Sequence, residues 1–425
     1  MESQGNRASA GRARGTATEL VLVGANHRTC PLDEREALLR HATYARLRTA
    51  AGPRPPWSDV LLLTTCNRIE VYLITTDTGA AERSVRKALG LPEASPHLYV
   101  LRGIEAAAHL LRVAAGLDSL AQGESQVAAQ VRQAPAIRPT GFRRNPDLAA
   151  TFERAAREAP RIRRLAGLEG KDISASHAAL RFIEASVPIR HPTIALLGTG
   201  KMARLAAGSL RDRATILVAN RDASRARDVA NGLGGTGHGL DRLDAVLEAA
   251  DVVLAATASR KPLVSAARVR RILARRPDRP LWLVDLGFPR NIDPASRSLP
   301  GVTLVDIDGL APWGAEPLPP AALARAEARI REQAESLVLD LHPAAGADIA
   351  TLRRTAEALR RREVDEALAR LPTLTDSDRA VVDTLATRLV NRFLHGPTER
   401  LRELPEATRA EWVQELLRGM GGTPR

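Results

Sequence analysis

Cysteine is nearly missing from this 425-residue chain, which holds only Cys30 and Cys66. Two thiols cannot build a disulfide framework, so the fold must rest on packed cores, and a reducing cytoplasm is the natural setting for a working thiol. Aromatic residues are scarce too, at 3%. No apolar run approaches the length of a membrane span, which excludes a transmembrane helix, and no membrane partner is expected. The first 17 residues, MESQGNRASAGRARGTA, lack the apolar stretch a signal peptide needs. Residues 1–17 are therefore read as a disordered basic tail. Lysine is the last shortage, 4 against 58 arginines in a chain of formal net charge +13. Such a cation excess suits a polyanionic partner, although genome composition also produces an arginine skew.

What is present points to several domains. The length exceeds one ordinary core, and 44% hydrophobic content fits globular folding. From Glu19 to about Tyr99, strand-like and helical patterns alternate. GIEAAAHLLRVAAGLDSLAQGESQVAAQVRQA then shows helical periodicity interrupted around Gly116 to Ser119. Residues 18–170 are read as an α+β domain. Pro135, Pro139, Gly141 and Pro146 should break the chain before a helix near Leu148. Next comes a helix from Ser174 to Ala185, then a strand, a Gly-rich turn, and alternating helices and strands. That order argues a Rossmann-like parallel sheet with helices on both faces over 171–315. Beyond PWGAEPLPP the pattern is helical, with a long connecting helix over 316–345 and a small bundle over 346–425. The fold class is α/β multidomain. Arg132 to Lys171 holds ten basic and four acidic residues, which reads either as a phosphate-contacting surface or as a solvated basic face.

Two stretches carry chemistry. Gly198, Gly200 and Ala203 form G-x-G-x-x-A directly after a strand and at the start of a helix, the context in which the motif binds a dinucleotide pyrophosphate. The next strand ends in VANRD. NAD needs an acid there for the ribose 2′-hydroxyl, whereas Arg221 suits a 2′-phosphate, so NADPH is expected and Asp222 leaves NAD open. LLLTTCNRIEVYLI reads as a buried strand, then a half-exposed one, with Cys66 at the junction. By residue type alone, Cys66 is either a small buried hydrophobe or a nucleophile. Arg68 lies two positions along on the same face, placed to bind a carboxylate bidentately, the preferred role, or to favour the thiolate. His109, on an Ala/Leu helix, is either structural or a proton donor. Asp118, Ser119, Glu124, Gln126 and Gln130 follow at near-helical spacing; buried unpaired they would be costly, and a polar ligand would satisfy them. No metal site is assigned.

GANHRTCPLDEREAL, TTCNRIEVY, HLLRVAAGLDSLAQGESQVAAQV, LLGTGKMARL, VANRDASRA, VDLGFPRNIDP, VDIDGL and LVNRFLHGPTERLR together resemble, in order, the signature blocks of the glutamyl-tRNA reductase family. The resemblance implies a catalytic domain, an NADPH-binding domain, a spinal helix and a dimerisation domain in a V-shaped homodimer. It implies reduction of glutamyl-tRNA(Glu) to glutamate-1-semialdehyde, the first step of the five-carbon route to tetrapyrroles, through a thioester on Cys66. It places Thr65, Asn67, Arg68, Ser119, Glu124, Ser125, Gln126 and Gln130 at substrate positions and His109 at an activity-sensitive one. Gly198, Thr199, Gly200, Lys201, Met202 and Ala203 fall in the nucleotide loop, followed by Asn220 and Arg221. It also implies a transient complex with glutamate-1-semialdehyde aminomutase. Cys30 stands where the family usually has a small residue and is read as structural. The chain departs from the family at Ser125, in GTGKMA and over Arg132 to Ile173. A dehydrogenase of the shikimate class, or a tRNA-binding relative without activity, are the alternatives.

Overall fold

The computed structural model describes residues 18–92, 95–120, 123–124, 126–142, 146–169, 174–200, 203–205, 209, 213–314, 317–341, 343–371, 373–404 and 406–419. The tail 1–17, Ser125, Lys201 and Met202 lie outside the described residues.

The N-terminal region is α+β. Its elements are β1 (Glu19–Asn26), α1 (Leu32–His41), α2 (Tyr44–Ala51), β2 (Asp59–Thr64), β3 (Arg68–Thr75), α3 (Thr78–Leu89), β4 (Tyr99–Arg102), α4 (Gly103–Ala114), α5 (Gln126–Ile137) and α6 (Pro146–Leu165). The four strands form an antiparallel sheet ordered β2-β3-β1-β4. Period 2 divides its side chains. Val21, Val23, Ile69, Val71 and Leu73 pack with α1 to α3, while Leu20, Leu22, Tyr72 and Ile74 pack with α4 and α6. Both faces are therefore covered. This corrects the half-exposed reading of β3: every residue in it is buried, including Arg68, Glu70 and Tyr72. Charged side chains mimic solvent exposure in a sequence, but here they are paired with one another. Helix α5 also runs through Pro135, two residues before its end, where the ring leaves the Val131 carbonyl without that intrahelical donor.

The nucleotide region begins with α7 (Ala175–Ser186) and holds β5 (Thr193–Leu197), β6 (Thr215–Asn220), α8 (Ala223–Leu233), β7 (Thr236–Gly239), α9 (Leu243–Ala249), β8 (Val252–Ala255), α10 (Ala266–Leu273), β9 (Leu281–Asp285) and β10 (Val302–Val305). Its six strands are parallel in the order β10-β9-β8-β5-β6-β7. That is the doubly wound arrangement, with its switch point beside β5. Apolar clusters cover both faces.

Helix α11 (Pro320–Asp340) lies along the first region: Ala326, Ile330, Ala334 and Leu337 share a core with α4 and α6. Arg112 pairs with Glu327 at 2.6 Å and Arg329 with Glu158 at 2.8 Å along the seam. Helices α12 (Pro343–Ala369), α13 (Asp376–Glu403) and α14 (Glu406–Gly419) form the C-terminal bundle. Among the described residues, no helix is long and apolar enough to cross a membrane.

Among the described residues, two arginines make charged contacts that join the first two regions. Arg35, on α1, reaches Asp308 with both terminal nitrogens, at 3.1 and 2.7 Å. Arg290 pairs with Glu36 at 2.8 Å and with Asp33. The basic block is partly consumed inside the fold. Arg138 is buried against Asp59, Arg154 donates to Ser336 at 2.7 Å, and Arg163 donates to the Gly123 carbonyl at 2.7 Å. These three hold elements together and do not form a free phosphate-contacting face.

Candidate active site

Cys66 sits in the three-residue turn that joins β2 to β3. The Thr65 amide donates to the Arg68 carbonyl at 2.9 Å and closes the hairpin. The Thr65 hydroxyl accepts from the Asn67 amide at 3.1 Å, and the His27 amide donates to the Asn67 carbonyl at 2.9 Å. Two loops are thereby pinned together, with the sulfur at the tip. Cys66 is half-buried and packs on the apolar cluster of the nucleotide region, which includes Ala203 and, at its edge, Ala256. Burial pushes its thiol up to about 12; the charge of Glu124 adds to this, and Arg68 and Arg35 oppose it.

Behind the hairpin lies a buried polar network that the sequence reading missed. Glu70 is its centre. Its Oε1 accepts from Arg68 Nη1 at 3.1 Å, His109 Nε2 at 2.7 Å and the Tyr99 hydroxyl at 2.6 Å, and its Oε2 accepts from Tyr72 at 2.8 Å. Burial alone would raise the Glu70 carboxyl, but His109 and Arg68 outweigh it and hold the group well below the ordinary carboxylate range. Gly24, opposite Glu70 in β1, makes room for it: a Cβ there would stand 2.7 Å from Glu70 Cγ. Asp118 completes the set, accepting from Arg68 Nη1 at 2.9 Å and pairing with Arg28 at 2.9 Å, and its carbonyl accepts from Arg68 Nη2.

This geometry revises the expected role of Arg68. The residue is fully buried, and both terminal nitrogens are held by Glu70 and Asp118, so the guanidinium is not open for a bidentate grip on a carboxylate. His109 is likewise engaged, its Nε2 bound to Glu70. The tell in the sequence was the stripe Arg68, Glu70 and Tyr72 at i, i+2 and i+4, which fits a polar ladder facing a helix that carries one histidine.

Several buried polar atoms near the hairpin have no hydrogen-bond partner among the described residues: Asn67 Oδ1, Ser119 Oγ, His27 Nδ1 and Arg68 Nε; at the start of α5, Gln126 Nε2 has none either. His27 is held neutral, its imidazole pushed down to about 4 by burial and by the Arg68 charge. Ser119 adjoins Asp118, which clasps Arg68, and Glu124 is buried close enough to act on the thiol. Gln130 stands apart from this set; it is exposed and lines a surface cavity with Tyr44, Leu62 and Thr64.

The nucleotide turn follows β5. Gly198 has φ +106°, and a Cβ there would lie 2.5 Å from the Ala256 carbonyl oxygen, so no larger residue fits without moving the backbone just after β8. Thr199 Oγ1 accepts from Asn220 Nδ2 at 2.6 Å, joining the turn to the end of β6. Asp222 is occupied as the cap of α8, its Oδ1 accepting from the Ser224 and Arg225 amides at 2.9 and 3.1 Å, while Arg221 is exposed.

Residues 23–165 match the family model described as glutamyl-tRNAGlu reductase, N-terminal domain. Residues 183–312 match shikimate / quinate 5-dehydrogenase, and 325–419 match glutamyl-tRNAGlu reductase, dimerisation domain. The chain is 35% identical to the glutamyl-tRNA reductase of Moorella thermoacetica over 94% of its own length and 93% of the relative's. The chain belongs to the glutamyl-tRNA reductase family. A second member, from Syntrophotalea carbinolica, is 31% identical over 94% of this chain and 93% of that one. The solved glutamyl-tRNA reductase from Methanopyrus kandleri is 27% identical, covers 95% of this chain and 98% of that one, and superposes with a TM-score of 0.40. Membership of the glutamyl-tRNA reductase family makes the chain an oxidoreductase. It is built from an N-terminal domain, a nicotinamide nucleotide domain of the shikimate dehydrogenase type and a dimerisation domain.

Proposed function

We propose that the protein reduces the aminoacyl ester of glutamyl-tRNA to glutamate-1-semialdehyde with NADPH, through a thioester on Cys66. The observation that carries the reading is the placing of Cys66 at a pinned hairpin tip against the nucleotide region, with unpaired buried polar atoms of Asn67 in the turn and of Ser119 beside Asp118. A polar amino-acid substrate satisfies them. The sulfur attacks the ester carbon, the ribose oxygen of the tRNA leaves with a proton, and the acyl group stays on sulfur. A nicotinamide cofactor held at the Gly198–Gly200 turn would supply the hydride that takes the thioester carbon to the aldehyde; the C–S bond then breaks and the Cys66 sulfur regains a proton. Dividing one difficult reduction into two steps is the gain from covalent catalysis. Arg68 favours the thiolate from behind the hairpin, and His109 acts through Glu70 as a positioning residue for Arg68.

NADPH over NADH rests on Arg221 being exposed at the end of β6 while Asp222 is spent as a helix cap. A homodimer rests on the dimerisation domain and on the exposed stripe Val381, Leu385, Leu389 and Phe393 of α13. A reactive α-amino aldehyde product favours a transient complex with the aminomutase that consumes it, and a cytoplasmic setting suits the free thiols.

The test uses glutamyl-tRNA labelled in the amino acid. Without NADPH, label should be trapped on Cys66; with NADPH, semialdehyde should be released. Cys66→Ser should do neither. Label trapped on another residue, or turnover by Cys66→Ser, would overturn the mechanism.

A further inference from the structure

We propose that Cys30, Glu34 and His97 form a second site, one that binds a thiophilic divalent transition ion of the Zn2+ class. Their ligand atoms lie within 4.8 Å of one another, and no other such group of three or more occurs among the described residues. The three come from separate places. Cys30 closes the turn after β1, its amide donating to the Asn26 carbonyl at 2.9 Å; Glu34 is in the first turn of α1; His97 lies just before β4.

The local bonding already sets the ligands. His97 Nδ1 lies 3.1 Å from the Thr29 carbonyl and donates to it, which turns Nε2 toward the cluster. Histidines that ligate metals are oriented by this kind of outer hydrogen bond. The Thr29 hydroxyl donates back to the His97 carbonyl at 3.0 Å, so the turn carrying Cys30 and the segment carrying His97 are tied twice. Nε2 stands 2.7 Å from Glu34 Oε2. With Nδ1 turned to the Thr29 carbonyl, Nε2 and the Glu34 carboxylate face each other across that short contact, beside the Cys30 sulfur, where a cation can be held by all three.

The donor set favours one class of ion. A thiolate, an imidazole and a carboxylate suit zinc-like ions, which take sulfur at about 2.3 Å and nitrogen or oxygen at about 2.0 to 2.2 Å, with water in the fourth position. The sulfur lies at the base, where Cys30 is buried, and Glu34 is exposed at the mouth, so an ion has a way in. On binding, the Cys30 S–H bond breaks, a sulfur–metal bond forms, and the proton goes to solvent. The bound ion would tie the root of α1 to the approach to β4. Helix α1 carries Arg35 and Glu36, which reach Asp308 and Arg290 in the nucleotide region, so the ion would stiffen the face on which those two regions dock.

The experiment uses the full chain with Cys66→Ser, which removes the other thiol, and titrates it with Co2+ and with Zn2+ against a chromophoric chelator. One equivalent should bind, with a thiolate-to-cobalt charge-transfer band and a raised melting temperature. Cys30→Ala should lose the band, and both His97→Gln and the surface change Glu34→Gln should weaken Zn2+ binding at least about tenfold. Circular dichroism melts of the metal-free variants separate lost ligands from lost fold, and Glu34→Gln tests the site even if Cys30→Ala unfolds. The proposal is overturned by no stoichiometric binding in the Cys66→Ser chain, by a charge-transfer band that survives Cys30→Ala, or by unaltered affinity in Glu34→Gln and His97→Gln.

Discussion

Burial holds the Cys66 sulfur as a thiol, with a value of about 12. Below that point the thiolate fraction rises about tenfold for each unit of pH. Alkylation of Cys66 by iodoacetamide, followed by mass mapping, should accordingly climb about tenfold per unit from about pH 7 to 9 without levelling off. A plateau near neutrality would mean that the resting sulfur is already ionised. Glu70 gives a second prediction at this scale. Its folded value is depressed from 4.5, so its contribution to stability is complete above that pH and is lost as the pH falls below it. Glu70→Gln should leave the Arg68 charge buried with less compensation, at a cost of about 3 to 5 kcal/mol, and should flatten the acid limb of a melting-temperature profile below about pH 5. The place of Cys66 was legible in the sequence, because the two strand patterns leave the thiol at their junction, whereas residue type alone left it open between a buried hydrophobe and a nucleophile. Glu70 was not, because alternating charges in a strand look the same whether water or a helix lies opposite. Only the docking of α4, which brings His109 to Glu70, distinguishes the two cases.

Among the elements, the turn after β5 depends on one position. Gly198→Ala would put a Cβ into the Ala256 carbonyl at a φ that a side chain rarely adopts. Affinity for the nicotinamide nucleotide, measured by fluorescence titration, should fall by at least about tenfold while the fold survives. At the end of β9, Asp285 Oδ1 accepts from the Gly287 amide at 2.9 Å, and Oδ2 accepts from the Asn291 and Ile292 amides at 2.8 Å each. An asparagine has one acceptor oxygen, so Asp285→Asn must face at least one of these amides with an NH2 group and should cost about 1 to 3 kcal/mol in denaturant unfolding. The strands around this turn were readable because β5, β6, β8, β9 and β10 are apolar runs of the kind a buried parallel sheet requires. β7 escaped because its sequence is Thr-Gly-His-Gly, with no apolar residue in it. It is a strand because it lies at the sheet edge, where β6 supplies the ladder from Leu217 to Asn220. Pairing overrode propensity there.

For the molecule as a whole, the order of the regions could be read from period alone, but not how they meet. Arg35 and Asp308 are 273 residues apart, and nothing in either neighbourhood announces the other. The basic block misled for a related reason: Arg138, Arg154 and Arg163 look like a solvent-facing charge run until Asp59, Ser336 and the Gly123 carbonyl are brought to them. The opposite signal, apolar side chains left outside, marks the C-terminal bundle. Val381, Leu385, Leu389 and Phe393 repeat every fourth residue along α13 and are 65%, 57%, 47% and 77% exposed in the single chain. Such a stripe on one helix face is unfavourable in water and fits an interface with a second copy. Phe393→Asp together with Leu385→Asp should leave each bundle folded, since both side chains point outward, yet place charge in the apolar seam. Sedimentation velocity should then give a monomer at concentrations where the unaltered chain is a dimer, with far-ultraviolet circular dichroism unchanged. A dimer that persists in the double variant would move the interface to another face of the molecule.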